Sequence, residues 1–338
     1  MKSFQRIFWL AFVETALILV VAVWASWGSE RAKMPPRPAF PLSPSTFVAI
    51  YGTEGYTPHY LFRYGLFGMT ERMRQSDVLL LGPSHVELGL SAAQLSLDLT
   101  AALGRPVRVY NMGVGSGDNL SFDRTVFAAN GIRDKAAIVD LYMPYGSQMS
   151  AFGLKVNTAD TLRAYVIVGN LWLRAAQDWL ADPVLPALSL NKPVLGPTRM
   201  LRLLTVRRWD TGDMVEMWKP EVGEIYEHSP DHWKDPFSQV DPRKTYHALD
   251  MSISQWMIDD LKARNIRAIY SMVPYDGDRP NEIPSIARPY VPIPSDHLTL
   301  LDTMHLNGSS REIATEALFR GLRDGGYLAS WPFPPPSR

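Results

Sequence analysis

Cysteine is absent from all 338 residues. That excludes disulfides, thiolate-held metals and a lipid-bearing N-terminal cysteine, and it leaves the compartment to other features. Net charge is absent too. The 34 Lys and Arg balance the 34 Asp and Glu, so the chain has no bulk positive field with which to hold nucleic acid. Nucleotide-binding motifs are also missing. The run Gly113 to Gly117 lacks the Gly-Lys-Ser/Thr ending of a phosphate loop and the Gly-x-Gly-x-x-Gly spacing of a dinucleotide site. No firm metal-ligand spacing is present either. His228, Asp231 and His232, and His297 beside Asp296, read as solvated loop residues, and no metal or cofactor is implied.

What is present begins with a long apolar run, Ile7 to Trp27, about the length that crosses a bilayer at roughly 1.5 Å per residue. Lys2 and Arg6 precede it and favour a cytoplasmic N-terminus. Residues 1–30 therefore read as a single transmembrane anchor in a bacterial cytoplasmic membrane, followed by a proline-rich tether over residues 31–45. The rival is a cleaved signal peptide ending near Val23-Trp24-Ala25, a poor cleavage site. Both readings place the globular part, residues 46–338, outside the cytoplasm, in the periplasm. Glu14 lies inside the apolar run, where an ionised side chain costs about 2.5 to 3.5 kcal/mol on insertion scales, and is a candidate contact for a membrane partner.

Beyond the tether, strand and helix signals alternate, the pattern of an α/β fold with a parallel sheet. Val78 to Leu81 reads as a buried strand. Ser91 to Leu103 reads as a helix with Ser91 as its cap and Gly104 as its stop. Val107 to Tyr110 and Ala136 to Tyr142 read as the second and third strands, with a short helix from Ser121 to Asn130 between them. Tyr246 to Arg264 reads as a helix, Ile266 to Val273 as a fourth strand, and Ser309 to Arg323 as the last helix, opened by a Ser309/Glu312 capping box. Residues 150–245 break the rhythm and read as an insertion after the third strand. It holds an apolar helix, Thr158 to Leu180, expected to be buried, and a basic helix, Pro197 to Trp209, expected to be solvated.

Three segments carry chemistry. Gly82-Pro83-Ser84-His85 follows the first buried strand, Asn111 to Asp118 follows the second, and Asp302-Thr303-Met304-His305 precedes the last helix. Ligands of open parallel sheets bind beyond the carboxyl ends of the strands, where the first two segments fall. A serine hydroxyl is inert near neutral pH without a base, and imidazole is the side chain suited to take its proton. His85, adjacent to Ser84 on a turn, reads as a contact or supporting residue rather than that base.

The order of these blocks resembles the SGNH, or GDSL-type, hydrolase superfamily. The resemblance rests on Leu80-Leu81-Gly82-Pro83-Ser84, the Asn111 to Asp118 loop and Asp302-x-x-His305 with Leu306-Asn307. It covers roughly residues 76–145 and 265–325. It implies a flavodoxin-like three-layer α/β/α fold with Ser84 as nucleophile, His305 as base and Asp302 orienting His305. It also implies an oxyanion hole of backbone N–H groups from Ser84 and the second loop, with Gly115, Ser116 and Gly117 as candidates. The family pattern has Asp where this chain has Pro83, and Asn where it has Pro144; Tyr142 is a candidate replacement donor. Single-span members such as alginate O-acetylation proteins and the D-alanyl transfer protein of teichoic acid synthesis are similar in layout. By that likeness the expected activity is acyl transfer or ester cleavage on a polysaccharide beside a multi-spanning membrane acyltransferase. The alternative is a catalytically weak scaffold or binding subunit of such a complex.

Overall fold

The computed structural model describes residues 45–51, 55–115, 120–141, 149–181, 204–219, 224–227, 255–275, 287–300 and 305–329. The anchor, the tether, Glu14, Ser116, Gly117, Tyr142 and Asp302 lie outside these ranges. Among the described residues no helix is long and apolar enough to cross a membrane.

Five strands form a wholly parallel sheet: β3 (Val78–Leu81), β4 (Val109–Asn111), β5 (Ala136–Asp140), β9 (Arg267–Met272) and β10 (Tyr290–Pro292). Their spatial order is β10-β9-β5-β3-β4. Counted along the chain that is 2-1-3-4-5, a doubly wound order whose direction reverses between β3 and β5. Helices cover both faces, consistent with a three-layer α/β/α arrangement. β3 shows why its four residues are all apolar: Leu79 and Leu81 enter one core and Val78 and Leu80 the other. On the Leu80 face lie α4 (Ala92–Leu103) and α9 (Gly308–Asp324). On the Leu79 face lie α1 (Thr57–Tyr64), α2 (Met69–Gln75), α5 (Leu120–Asn130) and α8 (Gln255–Ala263).

The strand expectations and those for the helices at Ser91, Ser121 and Ser309 hold to within a few residues; of the helix expected over Tyr246 to Arg264, Gln255–Ala263 is helical and residues 246–254 lie outside the described ranges. Ser91 caps α4 by accepting from the Gln94 N–H, and Gly104 ends it in the left-handed conformation. The start of α9 differs from expectation. Asn307 is the cap, its Oδ1 accepting from the Ser310 N–H at 2.9 Å. Ser309 instead donates its hydroxyl to Asn307, so the Ser309/Glu312 box is not used.

A second, antiparallel sheet has the order β2-β1-β6-β7-β8, from β1 (Thr46–Tyr51), β2 (Gly55–Tyr56), β6 (Leu204–Arg208), β7 (Met214–Lys219) and β8 (Glu224–Glu227). The expected basic helix over Pro197 to Trp209 is therefore corrected in its described part, residues 197–203 lying outside the described ranges. Residues 204–208 form a strand paired with β1, Val48 opposite Val206, and Arg207 is completely buried rather than solvated. Leu204-Thr205-Val206 suits a pleated surface, and the Asp210-Thr211-Gly212-Asp213 turn closes β6 onto β7.

The apolar segment after the third strand forms α6 (Ala151–Asn157) and α7 (Thr161–Ala181). α7 packs on α1 and β1 through Ala164, Val168 and Ala175, and Trp172 donates its ring N–H to the Val48 carbonyl at 3.0 Å. Not all of its apolar residues are buried as expected: Leu162, Val166 and Leu173 face outward, while Ile167 and Trp172 pack partly buried against the core.

Candidate active site

Ser84 stands at the first position of α3 (Ser84–Gly89), directly beyond the carboxyl end of β3 and beside the point where the strand order reverses. His305 leads into α9, two residues ahead of its Asn307 cap. The fold brings these two, 221 residues apart in sequence, to 2.8 Å between Ser84 Oγ and His305 Nε2. That is hydrogen-bonding distance for a hydroxyl and the base that would deprotonate it. His85 is buried behind the pair, its ring 5.6 Å from that of His305 and 5.1 Å from that of Tyr275.

The loop after β4 lies against α3. Asn111 donates its amide to the Val86 and Leu90 carbonyls and accepts from the Gly113 N–H. Gly113 is obligatory at this approach, since a Cβ there would stand 2.4 Å from the Glu87 backbone nitrogen. The backbone N–H groups from Asn111 to Val114 all have partners: Asn111 donates to the Thr211 carbonyl, Met112 to Leu80, Gly113 to the Asn111 side chain and Val114 to Gly82. Gly115, the remaining candidate oxyanion donor of the described loop, lies next to Glu87.

Glu87 is the residue that sequence reasoning overlooked. Its carboxylate is buried on α3, 3.4 Å from the Arg207 guanidinium. Burial pushes its pKa above the usual carboxylate range, while Arg207, His59, His305 and the Gly115 N–H pull the other way. Arg207 also donates to the Gly113 carbonyl at 2.7 Å and to the carbonyls of Asn111 and Gly212. Gly212 in turn must be glycine, because its φ of +70° and the Asn111 carbonyl 2.3 Å from any Cβ leave no room for a side chain. Asp213, next along, accepts from the Ala92 and Ala93 N–H groups at 2.8 Å each and so caps α4 from outside it. The β6–β7 hairpin thus holds both the second loop and the helix following Ser84. The Thr-Gly-Asp turn after a β-branched run was the sequence signal for this hairpin.

No protein-family model, curated protein or solved structure matches the chain. The functional reading therefore rests on the site itself. Chemically, that site offers a hydroxyl with an adjacent base at the mouth of a parallel sheet. Among the described residues no group of three or more His, Cys, Asp or Glu side chains could hold a metal.

Proposed function

We propose that the protein is a serine-dependent acyltransferase or esterase of the SGNH type, acting on O-acyl groups of an envelope or secreted polysaccharide. One observation carries the reading: the 2.8 Å contact between Ser84 Oγ and His305 Nε2 at the sheet's switch point. His305 takes the Ser84 proton as Oγ attacks the acyl carbonyl. The same imidazolium then protonates the departing sugar oxygen, leaving an acyl ester on Ser84. A second hydroxyl, of water or an acceptor sugar, releases the acyl group by the reverse proton path. Asp302, three residues before His305, is the proposed orienting carboxylate. With the N–H groups of 111–114 committed elsewhere, the backbone N–H of Ser84 and the loop carrying Gly115, Ser116 and Gly117 are the proposed oxyanion donors.

The location follows from the Ile7 to Trp27 run: we place the anchor in the cytoplasmic membrane and the site outside it, with Glu14 and a multi-spanning acyltransferase as contacts. The test is to treat the detergent-solubilised full chain with a fluorophosphonate probe and an aryl acetate. Wild type is expected to label and turn over. Ser84→Ala and His305→Ala should lose the label and reduce turnover by about 10⁴-fold or more. A folded wild type that neither labels nor turns over would instead make the chain a scaffold subunit.

A further inference from the structure

Helix α7 has two apolar faces, and the fold uses one. Ala164, Val168 and Ala175 are buried against α1 and β1, whereas Leu162, Val166, Gly169 and Leu173 form a second stripe at spacings of four, three and four residues. Leu162 is 75% exposed, Val166 54% and Leu173 56%. A Cβ added at Gly169 would meet nothing within 4 Å, so the stripe is open along its length. Along one edge of it stand Arg163 and Arg174, both exposed and the only charged side chains between residues 161 and 177. Soluble surfaces seldom present apolar side chains in such a row.

We propose that this face of α7 rests on the surface of an anionic lipid bilayer. Two observations select that occupant. The first is charge: Arg163 and Arg174 edge the stripe, while the nearest acidic residues, Asp160 and Asp178, fall outside its four-three-four register, which suits anionic headgroups. The second is position. Residues 1–44, with the apolar run Ile7 to Trp27, join the fold at Ser45, whose carbonyl accepts from the Trp209 N–H. Trp209 and Trp172 of α7 are ring neighbours at 6.2 Å. The segment read as an anchor thus enters the domain beside α7 and holds the stripe at high local concentration near the membrane, where a modest intrinsic affinity suffices. The proposal rests on the anchor reading for that tethering but predicts a separate contact.

The absence of cysteine makes the test direct, because single-cysteine variants can be labelled at one site. The full chain carrying Leu162→Cys, Val166→Cys or Leu173→Cys is coupled to an environment-sensitive fluorophore. It is then reconstituted into phosphatidylethanolamine–phosphatidylglycerol vesicles bearing a headgroup-level nitroxide. Each label should lose roughly half its emission, since amphipathic helices lie about 5 to 10 Å into the headgroup boundary. A label at the exposed Leu97 of α4, against the opposite face of the sheet, should be unaffected. Quenching should weaken in purely zwitterionic vesicles and with Arg163→Gln/Arg174→Gln. Chain that resists alkaline extraction yet shows no quenching overturns the proposal while leaving the anchor intact. Quenching that persists in chain lost on alkaline extraction upholds the α7 contact and refutes the anchor. Failure to bind vesicles at all overturns both, and label self-quenching without nitroxide quenching replaces the bilayer with a second copy.

Discussion

At the scale of single residues, the site combines a pair that sequence reasoning found with a pair that it did not. Ser84 and His305 were legible because nucleophile and base chemistry restricts the residue types, and their blocks sit at a strand end and a helix start. Glu87 and Arg207 carry no such signature. A glutamate on a short helix and an arginine in a basic run look solvated until the fold shows both buried and 3.4 Å apart. Glu87 has a consequence for pH. Because burial raises its pKa, the folded chain keeps a proton that the unfolded chain has released in the range just above ordinary carboxylate values. Its contribution to stability is full below that range and is lost as pH rises through the raised folded value. Glu87→Gln cannot titrate, so the urea midpoint of wild type relative to this variant should fall as pH is raised from about 4 towards neutrality, where carboxylates ordinarily ionise. A constant difference across that range would show that Glu87 titrates alike in both states.

At the scale of elements, helices and strands flanking the active site could be read from periodicity and caps, and those of the second sheet could not. Val78 to Leu81 and Ala136 to Asp140 are continuous apolar runs bounded by turn residues, which is how a strand buried on both faces announces itself. The partners of β1 and β6 lie far along the chain, so local pattern alone misread residues 204–208 as helical. The start of α4 shows how the distant element acts. Its own Ser91 supplies one cap, and Asp213 of the β6–β7 turn supplies acceptors for two further N–H groups. Asp213→Ala would leave both without that acceptor, and the buried one, on Ala92, costs about 1 to 3 kcal/mol when unsatisfied. Chemical denaturation should show a loss of at least that size, with Asp213→Asn recovering part of it through its remaining carbonyl oxygen.

At the scale of the whole molecule, two sheets meet under the nucleophile, and Arg207 is the rivet between them. From the antiparallel sheet it reaches the Asn111 and Gly113 carbonyls of the loop beside the active site and the Glu87 carboxylate. Arg207→Met would leave the Asn111, Gly113 and Gly212 carbonyls without this donor, at about 1 to 3 kcal/mol for each buried group left unsatisfied. We expect the denaturation midpoint to fall accordingly. Probe labelling at Ser84 should slow even where the variant remains folded, because the loop loses its support. Unchanged labelling in a destabilised variant would confine Arg207 to stability. The wide separation of the parts has a temporal side as well. A chain emerging from the ribosome or crossing a membrane N-terminus first exposes β1 long before β6 exists to pair with it, and Ser84 precedes its base by 221 residues. Such non-local pairing makes folding slow. It also means that a stalled or truncated nascent chain carries only an inert hydroxyl, so the proposed chemistry switches on when synthesis is nearly finished.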